Sequence, residues 1–192
     1  MTIEEKMNSG RLYDPCEGDL QAKQDLCLEK LYDYNQTRPS EKQKRHELLK
    51  EMLGSMGDHC TIEPPFYANW AGKNLFLKDH IYANFGLTCV NDVPIYVGSY
   101  TLFGPHVTLA VANHPLDPSQ RKQGLQYNRS ITIGENCWLG TGVIVLPGVT
   151  IGDHSVIGAG SVVTRDIPDH VVAVGNPCRI LRAITKDDIM PY

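Results

Sequence analysis

His114 is the side chain whose setting in the sequence singles it out for chemistry. It stands between Asn113 and Pro115 where a regular pattern breaks off, and an imidazole with an ordinary pKa of about 6.5 accepts a proton at neutral pH. A base at the root of an irregular segment suits proton transfer at a bound ligand. Seven histidines are present, and surface or packing roles account for His46, His59, His80, His106, His154 and His170 taken singly. Taken together, His80, His106 and His114 could supply three nitrogen ligands to zinc. The six cysteines (Cys16, Cys27, Cys60, Cys89, Cys137, Cys178) show no C-x-x-C spacing, which fits free thiols in a reducing cytoplasm better than a zinc cluster or a disulfide frame. Asn84 carries an amide able to orient a hydroxyl and to donate to developing negative charge, although an asparagine is equally at home in a turn.

A six-residue repeat supplies the frame for these groups. From Ile133 onward an aliphatic residue opens each unit (Ile133, Leu139, Val145, Ile151, Ile157, Val163), and Gly follows it in four of the six. A helix cannot keep that pattern on one face, because six residues advance it by about 240°. A short strand ending in a turn can. If each hexad is one flat side of a coil, its first residue points inward, the following Gly permits the bend, and three hexads close a triangular rung. The phase recurs upstream at Val97-Gly98, Phe103-Gly104 and Leu109-Ala110, ends at His114, and is weaker at Leu77, Ala83 and Cys89. Pro115 to Thr132 interrupts the count and returns to the same phase, which predicts a loop leaving a rigid scaffold, a common location for function.

The first sixty residues lack the repeat. Cys27, Leu28, Leu31 and Tyr34 fall at helical intervals within Asp25 to Tyr34. Ser40 with Gln43 reads as a capping box before Leu48, Leu49, Met52 and Leu53, with Gly54 as a stop. These two helices are expected to plug the end of the coil, whose last rung would otherwise expose unpaired backbone groups. Ile180 to Ile189 reads as a short helix or tail. The organisation expected is therefore a helical segment over residues 1–58, a coil over 59–178 with an excursion loop at 115–132, and a tail at 179–192.

Composition limits the function classes. The 192 residues are 42% hydrophobic, and Lys+Arg 18 against Asp+Glu 22 leaves a net charge of −4, so no general positive field recruits nucleic acid or an anionic membrane. No leader-like or membrane-spanning apolar run is present, which points to a cytoplasmic protein. The sequons at Asn35 and Asn128 are discounted for the same reason.

The hexads, Asn113-His114-Pro115, Glu63-Pro64-Pro65-Phe66-Tyr67, Tyr82-Ala83-Asn84-Phe85 and Val174-Gly175-Asn176-Pro177-Cys178-Arg179 together resemble the maltose/galactoside O-acetyltransferase family over nearly the whole chain. The resemblance implies a mainly β fold, a left-handed parallel β-helix with an N-terminal helical cap, assembled as a homotrimer with an active site at each subunit junction. The hand is implied by the resemblance alone, since crossover connections are usually right-handed. It implies transfer of acetyl from acetyl-CoA to a hydroxyl of a small sugar or glycoside, with no metal. His114 matches the family's catalytic histidine, and Asn84 its substrate-side asparagine. Asp14, Asn69 and Asp92 match positions that hold the acceptor. Thr141, Ala159, Thr164, Arg165, Arg179 and Arg182 map onto the coenzyme pattern, with Trp138 packing along the pantetheine arm. Small residues on one coil face let that arm approach the backbone, and cations near the C-terminus can meet phosphates. Hexad packing explains Thr141 and Ala159 equally well.

Two positions depart from the family. Gln24, beside Lys23, stands where many relatives carry an arginine, and Gln126 where they carry Met or Glu; both bear on acceptor choice. Two competing functions stay open at this stage. One is a zinc hydratase of the γ-carbonic anhydrase kind, and the other is a non-catalytic sugar-binding trimer.

Overall fold

The computed structural model describes residues 1–191. Short parallel strands form the three flat faces of a prism. The first face stacks Ser55–Met56, Leu75–Leu77, Ile95–Val97, Ile131–Ile133 and Thr150–Ile151 in that order. The second runs Thr61–Ile62, Tyr82–Ala83, Leu102–Phe103, Trp138–Leu139, Val156–Ile157 and Val171–Val174, and the third runs Tyr67–Ala68, Thr88–Val90, Thr108–Ala110, Ile144–Val145 and Val162–Val163. Strands adjacent in a face are one rung apart in the chain, so every neighbour is parallel and in register, as with Tyr82, Leu102 and Trp138.

The inward positions are those the repeat predicts. Leu139, Val145, Ile151, Ile157 and Val163 are completely buried, as are the fifth-place residues Val143, Ser155 and Ser161. At about 25 cal/mol per Å² of apolar surface, such a file of aliphatic side chains is the main driving force for stacking the rungs. The glycines serve a different end from the bend expected of them. Gly140 has no left-handed φ; instead a Cβ there would stand 2.7 Å from the Ala159 nitrogen on the next rung. Its missing side chain permits close rung-to-rung approach. The left-handed conformations fall two residues later, at Asn136, Gly142, His154 and Gly160.

Helices α1 (Ile3–Asn8), α2 (Leu20–Asn35) and α3 (Lys42–Met52) form the N-terminal part. The α2 helix begins five residues earlier than its apolar spacing predicts. The expected Ser40 cap is absent: α3 starts after Glu41 with no side-chain cap, because the Glu41 carboxylate turns back to accept the Arg38 N–H at 2.6 Å. The end of the coil is covered as expected. Asn35 presents its amide as a substitute strand, donating to the Phe66 carbonyl and accepting from the Phe66 N–H, both at 2.8 Å, and the buried Tyr34 hydroxyl donates to the Ile62 carbonyl.

At the other end the tail is not helical. Arg179–Ala183 is a strand antiparallel to Val171–Val174, and a 3-10 turn follows at Lys186–Asp188. All six cysteines are free. Burial pushes the Cys89 thiol up to about 12, which removes it from thiolate chemistry at neutral pH. No helix among the described residues is long and apolar enough to cross a membrane.

Candidate active site

The segment after Leu109 leaves the prism as a short antiparallel ribbon. Ala112 pairs with Asn128 and Asn113 with Tyr127, so His114 emerges where the ribbon opens into a loop. That loop is braced locally. Asp117 caps the short helix α4 (Pro118–Lys122) by accepting from the Ser119 and Gln120 N–H groups, each at 3.0 Å. These bonds and that of the Ser119 hydroxyl hold the Asp117 carboxyl below the usual carboxylate range. Arg121 donates to the carbonyls of Pro115 at 3.1 Å and Leu116 at 2.9 Å, fixing the residues that follow His114.

The His114 ring is itself tethered, with Nδ1 lying 2.8 Å from the Leu125 carbonyl oxygen. A carbonyl only accepts, so Nδ1 carries the proton and Nε2 of the neutral ring is the free base. His114 borders a cavity of about 330 Å³ that Asp92, Asn69, Gln126, Tyr13 and Gln24 also line. Apolar walls come from Met7, Leu20, Trp70 and Val90.

Asp92 is the one carboxylate in this cavity, and it is 8% exposed. Its Oδ2 accepts from Asn69 Nδ2 at 2.9 Å, and its Oδ1 from Trp70 Nε1 at 3.2 Å and Gln126 Nε2 at 3.4 Å. Among the described residues no cation pairs with it. A carboxylate held by neutral donors keeps lone pairs for a ligand's hydroxyl groups. Asn69 is in turn fixed by accepting the Asn91 N–H at 2.8 Å. Burial, reinforced by the charge of Asp92, pushes the Tyr13 phenol up, so it remains protonated at neutral pH.

Of the predicted acceptor-side residues, His114, Asn69 and Asp92 are brought together. Asp14 is exposed and does not line the cavity; its Oδ1 accepts the Cys16 N–H at 2.8 Å in a turn, while its neighbours Tyr13 and Pro15 face the cavity. Asn84 is also outside it, at the end of a second-face strand with its Oδ1 on the Phe85 N–H at 2.9 Å. Gln24 borders the cavity, whereas Lys23 pairs with Glu4 and Asp19, each at 3.2 Å. The sequence reading missed Tyr13 and Trp70, which belong to no repeat. The Thr2 to Glu5 spacing, a capping box that does form, was the available signal for helix α1 and hence for Met7.

The predicted coenzyme residues are all exposed, spread over two corners of the prism, its second face and its C-terminal strand. Thr141 and Ala159 occupy the same corner one rung apart, tied by the Gly160 N–H to the Thr141 carbonyl at 2.8 Å. Both are exposed, and among the described residues neither N–H has a hydrogen-bond partner. Trp138 is 55% exposed between Leu102 and Val156 on the second face. Thr164 and Arg165 are exposed beyond the last third-face strand, and Arg179 donates to the Cys178 carbonyl at 2.8 Å. Arg182 grips Asp188 with both terminal nitrogens, at 2.7 and 2.6 Å.

The three histidines of the zinc reading have separate surroundings. His80 stacks between His59 and Tyr100, and His106 meets Phe85 edge-on, while His114 faces Leu125. No group of three His, Cys, Asp or Glu among the described residues is placed to hold a metal ion.

Comparison with known proteins places this arrangement. A family profile described as "Maltose acetyltransferase hexapeptide capping motif" matches residues 6–57, which span α2, α3 and the end of α1. Another, "Bacterial transferase hexapeptide (six repeats)", matches residues 130–165 of the prism. Over 187 residues the chain is 50% identical to a galactoside O-acetyltransferase of Lactococcus lactis subsp. lactis (strain IL1403), covering 97% of this chain and 90% of that protein. Among solved structures, a galactoside acetyltransferase in complex with coenzyme A aligns with a TM-score of 0.95 at 44% identity, covering 98% of this chain and 94% of the other. A maltose O-acetyltransferase from Clostridium difficile 630 aligns with a TM-score of 0.94 at 38% identity, covering 97% and 99%. These likenesses assign the hand of the coil, a left-handed parallel β-helix.

Proposed function

The chain belongs to the maltose/galactoside O-acetyltransferase family, and on that premise we propose that it transfers acetyl from acetyl-CoA to a hydroxyl of a small sugar or glycoside, with His114 as the general base. The observation that carries this reading is the Leu125 carbonyl at 2.8 Å from His114 Nδ1, which leaves Nε2 as the proton acceptor beside a polar cavity. Asp92 and Asn69 take hydroxyl groups of the acceptor in that cavity, and Asp14 lies at its approach. The acceptor oxygen attacks the thioester carbonyl carbon as its proton passes to Nε2. The tetrahedral oxyanion then collapses, the C–S bond breaks, and the departing coenzyme thiolate takes the proton back from the imidazolium. No acetyl-enzyme forms.

Asn84 enters through a second copy of the chain. It sits outside the cavity of its own protomer, beside an exposed apolar row of Tyr82, Leu102 and Trp138 on the second face. Such a row suits burial between subunits. In a homotrimer each junction would set Asn84 of one copy near His114 of the next, where its amide and the Thr141 N–H stabilise the oxyanion. The unclaimed Ala159 amide suits the pantetheine arm, with Thr141 and Trp138 alongside. Thr164, Arg165, Arg179 and Arg182 suit the nucleotide end.

Thiol release from acetyl-CoA over a sugar panel tests the reading. Replacing His114 by Ala should lower turnover by about two to four orders of magnitude with coenzyme affinity unchanged. Full activity in that variant would overturn the assignment. The zinc hydratase reading loses its support with family membership.

A further inference from the structure

Tyr13 lies in the stretch between α1 and α2, more than one hundred residues from the loop that carries His114, and is 3% exposed. It holds that loop at two levels. Its N–H donates to the Gln126 carbonyl at 2.9 Å and its carbonyl accepts from the Gln126 N–H at 3.0 Å, a one-residue antiparallel bridge. Its phenol oxygen accepts from Gln126 Nε2, and from Asn128 Nδ2 at 2.9 Å. Asn128 Nδ2 also reaches the Met7 carbonyl at 3.3 Å, so the end of α1 joins the same grip.

The segment so held touches both functional groups of the cavity. Leu125, immediately before Gln126, supplies the carbonyl on His114 Nδ1. Gln126 Nε2 also donates to Asp92 Oδ1 at 3.4 Å, and Asn128 pairs with Ala112, two residues before His114. The loop residues from Leu116 to Gly124 are exposed, so the outer part of the loop gives this segment little support. A contact that keeps Leu125 and Gln126 in place sets the imidazole and the carboxylate relative to one another, and displacements of about 1 Å at a reacting group reduce rates by about two orders of magnitude.

We propose that Tyr13 is a positioning residue: the N-terminal segment clamps the loop through it, so that the Leu125 carbonyl orients the base and the Gln126 amide orients Asp92. This rests on the reading of His114 as the base. The clamp acts on the acceptor half of the reaction and leaves the coenzyme edge untouched, and that asymmetry distinguishes it from a structural contact.

Tyr13→Phe keeps the ring and the backbone bridge and deletes only the phenol oxygen; Tyr13→Ala removes the ring as well. Loss of a buried hydrogen-bonded oxygen should lower kcat/KM for the acceptor by about 5- to 30-fold in the Phe variant, with the larger loss in the Ala variant. The KM for acetyl-CoA should stay within about twofold, and the Phe variant should keep its thermal midpoint within a few degrees. His114→Ala is assayed in parallel. If it is inactive while Tyr13→Phe matches the parent within about twofold, the clamp is wrong and the base assignment stands. A loss shared equally by the acetyl-CoA KM would also overturn the clamp, since it would report general loosening. If His114→Ala stays active, the base assignment fails and takes the clamp with it.

Discussion

Asp92 is 8% exposed and receives hydrogen bonds from three side chains, whereas Thr141, Ala159, Thr164 and Arg165 all lie open to solvent at corners of the prism. The two halves of the proposed reaction thus meet surfaces of opposite character within one chain. A small acceptor has several similar hydroxyl groups, and selecting one of them requires donors and acceptors fixed in a water-poor cavity. A long coenzyme can be bound along a ridge, by backbone amides at intervals of one rung and by cations at its end. The proposed acceptor half therefore draws on α1, α2 and the loop, which break the repeat, while the proposed coenzyme half uses the repeat itself.

Asp92→Asn probes the contrast most severely. The substitution keeps the side-chain volume but sets an NH2 group among the donors from Asn69, Trp70 and Gln126, so at least one donor meets another donor. It also removes the charge that takes acceptor hydroxyls. The expected loss is about 100-fold in kcat/KM for the sugar, from charge-assisted hydrogen bonds of about 1.5–3 kcal/mol. The KM for acetyl-CoA should be unchanged. If both substrates weaken together, the two halves are not independent and the comparison fails.

How much of this could be read from the sequence follows the same division. Ile157 and Val163 were readable because each faces the same interior as its counterpart one rung away, so one environment repeats and the residue type repeats with it. The expectation for Gly140 found the right residue and the wrong reason, since a six-residue count does not distinguish a bend from a close approach between rungs. Arg179–Ala183 was misread because every residue in that strand is exposed; with no buried face, its pattern has nothing to record. Tyr13 was invisible for another reason. Its partners Gln126 and Asn128 are fixed by tertiary contact alone, and no local spacing encodes a contact across that separation. That His114, Asn69 and Asp92 belong together around one cavity was legible through resemblance to a family, which supplied what periodicity lacked.

Gly140→Ala tests the coenzyme edge through its stacking. The new Cβ would lie 2.7 Å from the Ala159 nitrogen and 3.0 Å from its Cα, both backbone atoms, so the rungs must separate. A destabilisation of about 1–3 kcal/mol is expected for such overpacking, seen as a lower Tm by several degrees. Because Thr141 and Ala159 move apart, the KM for acetyl-CoA should rise more than that for the acceptor. A rise confined to the acceptor would reverse the assignment of the two halves.

The smallest effect is expected at Arg182, where the proposed coenzyme cation is already occupied. Asp188 accepts from both of its terminal nitrogens, and that hydrogen bonding lowers the Asp188 carboxyl to about 2. A depressed carboxylate pKa means that the pair is complete above the ordinary value of about 4 and is lost only as the pH falls through about 2, so it persists throughout any neutral assay. Both groups are exposed, and exposed pairs contribute little to stability. The consequence is competition: a phosphate reaching Arg182 must displace a carboxylate that already fits the guanidinium. Asp188→Asn weakens the competitor while leaving the cation in place, and should lower the KM for acetyl-CoA by about two- to threefold, the scale of an exposed ion pair. The acceptor KM and Tm should not move. A higher acetyl-CoA KM would mean instead that Asp188 holds the guanidinium in the orientation the phosphate needs.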